Sequence, residues 1–390
     1  MPSAERIPKN PRNLLPGAPG GAAYLRELES VAGAAGLDRI GVAPAAPLTR
    51  AREQLAARES AGLVNGMKFT YHKPLRSTDP SALVPDARSV IVGVRSYDIA
   101  PHDATDSDAP ADGSPRARVA RYAWVDHYAH LKSSLKQVAG RLRADGHRAI
   151  VFADDNSIVD REVAWLAGIG WYGKNANILV PGAGSFFVIG CIVTTADLPV
   201  ATVVEDGCGT CTRCIPACPT GAIPAPGVID ANRCLSWLLQ KPGVFPADFR
   251  EALHDRIYGC DDCQTACPFT RRRPPTAADG PVESTIDILD MLSCDDASVM
   301  ERVDRWYVHD RDAVWVRRNL LINLGNVADP ADQRTVAALR DALADDRPVL
   351  RAHAVWAAAR LGLRGLLPDH DPDAMVRDEL ARLPALRGDL

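Results

Sequence analysis

The run Cys208-Gly-Thr-Cys211-Thr-Arg-Cys214-Ile-Pro-Ala-Cys218-Pro219 is the most informative stretch of this 390-residue sequence. Its cysteines are separated by two, two and three residues, and the last is followed by proline, which is the bacterial iron–sulfur pattern. In that pattern the first three thiolates wrap one cluster and the fourth binds the neighbouring cluster. The run therefore predicts a module that holds two four-iron clusters.

A second run, Cys260-Asp-Asp-Cys263-Gln-Thr-Ala-Cys267-Pro268, adds three cysteines, and the solitary Cys234 is the expected eighth ligand. The predicted ligands of cluster 1 are Cys208, Cys211, Cys214 and Cys267. The predicted ligands of cluster 2 are Cys218, Cys234, Cys260 and Cys263. This crossed pairing predicts two clusters that are held close together.

Two other chemistries use cysteines at similar spacings. Four-thiolate zinc sites also contain C-x2-C pairs, but they need neither a third cysteine two residues further on nor a proline after the last one. A disulfide framework is typical of short secreted chains, and this long sequence begins without an apolar signal region. Iron–sulfur ligation therefore remains the prediction. The two cysteines left over are Cys191, predicted to be buried in a strand, and Cys294, predicted to lie in a loop or at a helix end.

Composition and charge limit what the rest of the chain can be. With 46% hydrophobic residues the chain can bury two or three cores, which predicts a globular multidomain protein. The formal net charge of -4 gives no global sign of nucleic-acid binding, so an RNA site has to be a local patch. No stretch approaches the roughly 18 apolar residues of a membrane span. Because the start also lacks an export signal, we expect a cytoplasmic protein.

The order of predicted elements divides the chain into four parts of an α+β multidomain fold. We predict a flexible lead-in over 1–20, an α/β domain over 21–201, a ferredoxin-like two-cluster domain over 202–275 and a HEAT-like helical repeat domain over 276–390. Helical and strand patterns alternate in the second part, and residues 101–116 interrupt it as a mobile surface loop. The repeats are predicted from a helical pattern at 316–325 that recurs 34 residues later at 350–359.

Two acidic residues, Asp154 and Asp155, follow the strand predicted over 148–153. The ends of strands are where α/β folds place catalytic groups, so either residue is a candidate proton donor. The alternative is that they cap the helix that is predicted to begin near Asp160. Asp160 is itself a good cap, which leaves Asp154 less committed to that duty.

Gly168, Gly170 and Gly173 match the G-x-G-x-x-G dinucleotide fingerprint. That fingerprint follows a strand and opens a helix, whereas these glycines close a helix and lead into the strand predicted over 178–180. We therefore interpret them as a helix end and a tight turn.

Motifs along most of the chain carry a further signal. They include Arg76-Ser-Thr-Asp-Pro80, Arg121-Tyr-Ala123, Ala167-Gly-Ile-Gly-Trp171, Gly173-Lys-Asn175, Gly184-Ser-Phe186 and Arg256-Ile-Tyr-Gly-Cys-Asp-Asp-Cys-Gln264. Together with the cysteine runs, these motifs resemble the epoxyqueuosine reductases. The motif that ends at Gln264 and the run that starts at Cys208 are the most specific of them.

The resemblance implies a cobalamin enzyme that deoxygenates the epoxide of epoxyqueuosine and so completes queuosine at the wobble position of transfer RNA. Its cofactors are expected to be two 4Fe-4S clusters and base-off cobalamin, the latter bound by the domain over 21–201. The Asp-x-His-x-x-Gly loop of other cobalamin proteins is absent, because Ile150 stands where Asp145-Gly-His147 would require a glycine. The expected partners are a tRNA with a GUN anticodon that carries epoxyqueuosine and an external electron donor, and we expect a monomer.

The resemblance also implies roles for single residues. Counting back six residues from Asp160-Arg161 places the family's proton donor at Asp154, whose pKa we expect burial against the corrin to raise. The expected cofactor contacts are Arg76, Ser236, Asp261 and Asp262. Arg317 and Arg318 are predicted to contact RNA phosphates, with the alternative that arginines of this domain only brace neighbouring helices.

The sequence departs from the family pattern at His127-Tyr128-Ala129, where relatives carry Asp-Tyr-His, so the details of the pocket beside the cobalamin stay open. Two other functions also stay open. A reductive dehalogenase-like cobalamin reductase of small molecules would usually carry an export signal and would leave the repeat domain without a role. A non-catalytic two-cluster electron-transfer protein would bind no corrinoid.

Overall fold

Residues 19–100, 113–272, 274–278 and 280–383 are described by a computed structural model. The helices are α1 (Gly21–Ala34), α2 (Thr49–Ser60), α3 (Pro74–Ser77), α4 (His127–Ala144), α5 (Asp160–Leu166), α6 (Leu235–Leu238), α7 (Ala247–Leu253), α8 (Asp262–Thr265), α9 (Ile288–Ser293), α10 (Asp296–Arg302), α11 (Val314–Val327), α12 (Gln333–Leu343), α13 (Pro348–Arg360) and α14 (Ala374–Arg382). The strands are β1 (Arg39–Pro44), β2 (Ser89–Ser96), β3 (Ile99–Ala100), β4 (Arg116–Val119), β5 (Ala149–Ala153), β6 (Trp171–Tyr172), β7 (Ile178–Leu179), β8 (Phe187–Thr194), β9 (Arg256–Tyr258), β10 (Thr276–Ala277) and β11 (Thr285–Asp287).

The largest sheet has the strand order β1-β2-β8-β5, and every neighbouring pair in it is antiparallel. The apolar residues of β2 and β8 are buried on both faces of this sheet. Helices α1 and α4 cover one face, and α2 and α5 contribute to the core on the other. An alternation of helices and strands is typical of parallel α/β sheets. Here the connections between neighbouring strands return to the same edge of the sheet, so this alternation does not produce a parallel sheet.

Two glycines set the distance between this sheet and α4. Gly93 in β2 and Gly190 in β8 face each other in the strand register. A Cβ atom at either position would lie within 3 Å of a methyl group of Leu135, at 2.9 Å from Gly93 and 2.6 Å from Gly190. The paired glycines therefore allow α4 to pack closely on the sheet, and α4 fixes the position of the residues at its start.

A small sheet joins three predicted parts of the chain. In it β4 pairs antiparallel with β11 and parallel with β9. The N-terminal part (21–201), the part over 202–275, called the cysteine module below, and the C-terminal part (276–390) therefore each contribute one strand to this sheet. Strand β9 ends at Tyr258, two residues before Cys260. This sheet therefore anchors the second cysteine run against both neighbouring parts.

The C-terminal part consists of packed helices. The two segments of the predicted repeat fall in α11 and α13, which lie side by side. Gly325 allows them to pack closely, because a Cβ atom there would lie 2.8 Å from the Cα atom of Ala357. In the described residues no helix has the length and apolar content that a membrane crossing requires.

The prediction that Arg317 and Arg318 contact RNA is wrong, because both side chains are buried in α11. Arg318 is 1% exposed, and its guanidinium donates to the carbonyl oxygens of four residues that follow Cys234, namely Leu238, Leu239, Lys241 and Gly243. Arg317 pairs with Asp296 and donates to the carbonyl of Leu292. Both arginines therefore brace neighbouring segments.

The structure also tests the predictions for the two remaining cysteines and for the glycine motif. Cys191 is buried in β8 and Cys294 directly follows α9, as predicted. Helix α5 ends at Leu166 and Gly168 has a φ of 65°, which confirms that the glycine motif closes a helix. Most of the predicted lead-in and residues 101–112 of the predicted loop lie outside the described residues.

Candidate active site beside the cysteine module

Asp154 directly follows β5 and has a left-handed backbone with a φ of 52°. Its side chain is 64% exposed, and its Oδ2 atom lies 4.0 Å from Nζ of Lys132. Within the described residues this carboxylate accepts no hydrogen bond, whereas Oδ1 of Asp155 accepts one from the backbone N–H of Ser157 at 2.7 Å. Left-handed conformations of non-glycine residues are concentrated at functional sites. Of the two candidates, Asp154 has the carboxylate that is not used by the local fold.

The capping alternative does not apply to Asp154. The residue at the N-terminal cap of α5 is Val159, whose side chain makes no capping hydrogen bond. Asp160 is the first residue of the helix, and its Oδ1 accepts the backbone N–H of Arg161 at 2.7 Å. The predicted cap at Asp160 is therefore displaced by one residue, and neither Asp154 nor Asp155 takes its place.

The carboxylate of Asp154 faces groups from different parts of the chain. Burial, with smaller effects from Asp160 and then Asp154, raises the pKa of Tyr128 in α4. Burial is also the main cause that raises the pKa of Tyr258 to about 12, and the charge of Asp154 adds to it. The charge of Asp154 thus raises the pKa of one phenol in the N-terminal part and of one phenol in the cysteine module. It lies at the junction between the two.

Asp160 and Arg161 complete this side of the junction. Burial raises the pKa of Asp160, and the charge of Asp154 raises it further, while Arg161 lowers it. Arg161 donates to the carbonyl of Ala176 at 3.3 Å. Its charge also opposes the effect of burial on the pKa of Cys234, so this guanidinium acts on both Asp160 and a predicted ligand of cluster 2.

The cysteines form two groups in the structure. Burial raises the pKa of Cys214, and the neighbouring thiolates that raise it further are Cys208, Cys267 and Cys211. Burial likewise raises the pKa of Cys263, and its thiolate neighbours in order of effect are Cys260, Cys234, Cys218 and then Cys214. The thiolates that act on Cys214 thus belong to the predicted set of cluster 1, and the three that act most on Cys263 belong to the predicted set of cluster 2.

A backbone donor points at one of these sulfur atoms. The N–H of Ala222 donates to Sγ of Cys218 at 3.2 Å, and the hydroxyl oxygen of Thr220 lies 3.7 Å from the same sulfur. Such N–H groups stabilise thiolates and tune the potentials of iron–sulfur clusters. The donor set fits thiolate-bound clusters.

The module contacts the N-terminal part through Gln264. The side-chain amide of Gln264 donates to the phenol oxygen of Tyr97 at 2.9 Å and to the carbonyl of Ser185 at 2.9 Å. Burial raises the pKa of Tyr97, and the charges of Asp261 and Cys263 raise it further. This buried contact therefore fixes the second cysteine run beside the large sheet.

The predicted cofactor contacts have different surroundings. Arg76 is exposed in α3 and has no ion pair within the described part of the chain. Ser236 lies in α6, two residues after Cys234. Asp261 accepts the backbone N–H of Arg121 at 3.1 Å. Asp262 is already paired with Arg256 at 2.6 Å, so its carboxylate is the least available of the four.

Sequence reasoning missed the three tyrosines at positions 97, 128 and 258 and the role of Gln264. Tyr258 and Gln264 both lie in the motif that begins at Arg256, next to the predicted ligands Cys260 and Cys263. This proximity in sequence could have identified them as site residues. The departure at His127 lies in the core, because this residue is buried and its ring centroid is 5.8 Å from that of Tyr97. Burial lowers the pKa of His127 to about 4, so it is neutral at pH 7.

Comparison with known families gives two matches along the chain. Residues 207–270 match the family model described as a 4Fe-4S double cluster binding domain. Residues 77–155 match the model described as epoxyqueuosine reductase QueG, DUF1730. The first match covers all the predicted cluster ligands, and the second ends just after Asp154.

Individual relatives agree with these matches. The chain is 34% identical to the epoxyqueuosine reductase of Xanthomonas campestris pv. campestris over 352 residues, which cover 86% of this chain and 96% of that protein. It is 29% identical to the epoxyqueuosine reductase of Bacillus cereus over 340 residues, with 85% and 87% covered.

Solved structures are similar over nearly the whole chain. A crystal structure of selenomethionine-labelled epoxyqueuosine reductase has a TM-score of 0.83 at 27% identity and covers 92% of this chain and 97% of its own. A second, with a TM-score of 0.81, 27% identity and the same coverage, contains an epoxyqueuosine-modified tRNA stem loop. A third, from Bacillus subtilis, has a TM-score of 0.81 at 26% identity, covers 92% and 97%, and has its aspartate-bearing catalytic loop swung out of the active site.

Proposed function

The chain belongs to the epoxyqueuosine reductase family, which is a family of oxidoreductases, and on that basis we propose that it reduces epoxyqueuosine to queuosine at the wobble position of tRNA. The observation that carries the proposal is the position of Asp154. Its carboxylate accepts no hydrogen bond within the described residues, and its charge raises the pKa of Tyr258. Tyr258 lies two residues before Cys260, a predicted ligand of cluster 2. A proton donor and a source of electrons thus share one junction.

The reaction makes defined demands on this junction. Conversion of the epoxide to the alkene consumes two electrons and two protons, breaks both carbon–oxygen bonds and releases the oxygen as water. We assign the proton donor to Asp154 because its carboxylate is exposed and has no hydrogen bond within the described residues. The neighbouring Asp160 is a second carboxylate, whose pKa is raised by burial and further by the charge of Asp154.

Base-off cobalamin is the proposed second cofactor, and when bound it would supply the strongly reducing centre that the epoxide requires. The residues at the junction fit such a group. The carboxylate of Asp154 and the guanidinium of Arg76 are both exposed. Tyr128, which is partly buried, provides aromatic surface from α4. We assign the cofactor contacts to Arg76, Ser236 and Asp261, and leave Asp262 to its ion pair with Arg256.

The two clusters are proposed to carry single electrons to this site. The crossed assignment of their ligands is supported by the two groups of thiolates around Cys214 and Cys263. Cluster 2 is proposed to be the nearer to the junction, because two of its ligands interact with residues there. The charge of Cys263 raises the pKa of Tyr97, and the charge of Arg161 lowers the pKa of Cys234. Cluster 1 is therefore the more remote member of the pair.

Each of the three main parts of the chain has a proposed role. We propose that the part over 21–201 binds cobalamin, that the part over 202–275 holds the clusters, and that the helices over 276–390 form HEAT-like repeats. The side-by-side packing of α11 and α13 supports the repeats. The proposed substrate is a tRNA with a GUN anticodon, in line with the relative that was solved with a tRNA stem loop. We propose that the reaction takes place in the cytoplasm.

The test is an anaerobic reconstitution of the full chain with iron, sulfide and cobalamin. An anticodon stem loop that contains epoxyqueuosine is then added, and its nucleosides are separated and weighed. We expect queuosine to form with cobalamin present and not when cobalamin is omitted. A preparation that binds both cofactors and leaves the epoxide intact would contradict the proposal, and reduction of a halogenated phenol by that preparation would favour the small-molecule reductase. Failure to bind any corrinoid would favour an electron-transfer protein.

A further inference from the structure

The two predicted clusters differ in how much protein covers them. The residues between Cys208, Cys211 and Cys214 of cluster 1 are all exposed, namely Gly209, Thr210, Thr212 and Arg213, whereas its fourth ligand Cys267 is buried. Around cluster 2, in contrast, Tyr258 and Gln264 are buried, and Cys260 packs against a buried apolar group that includes Phe245 and Ile322. Cluster 1 is thus the one that a protein in solution can approach.

Cationic side chains surround the ligands of cluster 1. Arg213 lies between Cys211 and Cys214 and is exposed. Lys174 reaches the same loop, and its Nζ donates to the carbonyl of Gly209 at 2.7 Å. At the end of the second cysteine run, the exposed Arg271 follows Cys267 and donates its backbone N–H to the carbonyl of that cysteine at 3.3 Å.

Arg272 extends this group over an aromatic pair. Its guanidinium carbon lies 4.5 Å from the centroid of the Phe269 ring. Phe269 in turn contacts Trp171 edge to face, with their centroids 5.1 Å apart. Trp171 packs in one apolar group with Cys267 and Cys208, so this pair links the exposed cation to the ligands of cluster 1.

The charge balance of this surface differs from that of the whole chain. Its cations are Lys174, Arg213, Arg271 and Arg272, which we call the cationic patch. Among the described residues, the nearest carboxylates along the chain are those of Glu205 and Asp206, and Oδ1 of Asp206 accepts the backbone N–H of Cys208 at 2.8 Å. Four cations against two carboxylates give a positive surface on a chain whose formal net charge is -4.

We propose that the cationic patch docks an acidic one-electron carrier protein of the ferredoxin or flavodoxin type, which reduces cluster 1. This inference rests on the proposed function, in which the clusters supply electrons to the active site. Each docking event oxidises the carrier by one electron and reduces the cluster by one. Opposite charges on the two surfaces accelerate such an encounter and make its rate depend on salt.

RNA phosphates are the other acidic partner that a cationic surface can attract. The position of the patch favours the carrier, because the patch surrounds cluster 1. Asp154 instead acts on Tyr128, Asp160 and Tyr258, and Tyr258 belongs to the side of cluster 2. The substrate must reach Asp154, whereas the electron donor only needs to reach a cluster.

The test measures cluster reduction in the reconstituted full chain, without RNA, after rapid mixing with fully reduced flavodoxin. We expect the second-order rate to fall with rising salt in the unmodified protein. We also expect it to fall about tenfold or more at low salt in the double variant Arg271→Glu/Arg272→Glu. The matched control is Arg26→Glu/Arg340→Glu, which reverses two exposed arginines in α1 and α12 and is expected to keep the parental rate.

Reduction by dithionite and the iron content show whether a variant still holds its clusters. If the double variant loses iron, Lys174→Gln and the salt dependence of the unmodified protein replace it. A flavodoxin rate that depends neither on salt nor on the patch would overturn the proposal, as would charge reversals that weaken RNA binding and leave the flavodoxin rate unchanged. Because no epoxide is involved, either outcome leaves the proposed function to its own test.

Discussion

Arg250 and Glu379 form a buried, two-pronged ion pair between α7 of the cysteine module and α14 near the C-terminus. Nη1 of Arg250 lies 2.6 Å from Oε1 of Glu379, and Nη2 lies 3.1 Å from Oε2. Their side chains are 0% and 3% exposed. Arg250 also donates from Nε to the carbonyl of Phe245 at 3.1 Å. The pair thus ties the last helix to the module that carries the predicted cluster ligands.

Replacement of Glu379 by Gln should strongly destabilise the protein. The change leaves the buried guanidinium of Arg250 without its counter-charge, which typically costs about 3 kcal/mol of unfolding free energy. Denaturant unfolding of the full chain measures this loss. The control is Glu251→Gln in the same α7, because Glu251 pairs with Arg360 at the surface. That change should cost less than about 1 kcal/mol, and equal effects of the two variants would contradict this account.

His353 should make the fold sensitive to acid. Its Nε2 accepts the backbone N–H of Phe245 at 3.1 Å. Burial, assisted by the charges of Arg250 and Arg318, lowers the pKa of His353 well below its usual value of 6.5. Below pH 6.5 the unfolded chain therefore binds a proton that the folded chain does not, and the unfolding free energy falls by up to about 1.4 kcal/mol per pH unit.

The variant His353→Gln should be less stable at pH 7.5 but should lose less stability between pH 6.5 and pH 5 than the parent. The control His254→Gln removes an exposed histidine that lies beside Asp255. We expect its pH dependence to match that of the parent, as followed by thermal unfolding across the pH series. A parental slope in the His353 variant would show that this residue is not the acid-sensitive group.

Replacement of Asp154 by Asn should slow epoxide reduction by about 100-fold or more, because a positioned proton donor contributes at least that factor. The measurement is a single turnover with prereduced, fully reconstituted protein, so that electron delivery does not limit the rate. Asp155→Asn is the control, since Asp155 serves the local turn through Ser157. A parental rate in the Asp154 variant would place the proton donor elsewhere.

Single cysteine replacements test the crossed ligand sets. Cys267→Ala should leave the same residual cluster signal as Cys211→Ala, because both remove a ligand of cluster 1. Cys218→Ala should match Cys260→Ala, because both remove a ligand of cluster 2. Electron paramagnetic resonance of the reduced proteins compares these signals. If Cys218→Ala matched Cys211→Ala instead, each run would serve its own cluster and the crossed sets would be wrong.

Local patterns predicted much of the N-terminal part. The strand predicted over 148–153 is β5 at Ala149–Ala153, and the strand predicted over 178–180 is β7 at Ile178–Leu179. Both have strong apolar patterns, which depend only on nearby residues. The antiparallel order of the large sheet was not predictable in this way, because strand direction depends on which edge of the sheet each connection returns to.

The site shows the same division between local and distant information. The position of Asp154 after a strand is a local feature and was predicted from the sequence. Its left-handed backbone and its proximity to Tyr258 depend on tertiary packing. Arg318 shows most clearly what local patterns cannot predict. Its side chain is buried because the carbonyl oxygens that accept its hydrogen bonds, at 238–243, lie far away in sequence.

The most direct test of the proposed reaction follows the electrons and the oxygen atom together. Fully reconstituted protein is reduced, freed of excess reductant and mixed with an epoxyqueuosine-containing stem loop, while the corrinoid is followed by absorbance and the nucleosides by mass. We predict that the nucleoside loses one oxygen atom for every two electrons lost by the corrinoid and the two clusters together, because reduced clusters can return electrons to the corrinoid. Oxidation of the corrinoid while the RNA keeps its epoxide oxygen would contradict the proposed reaction.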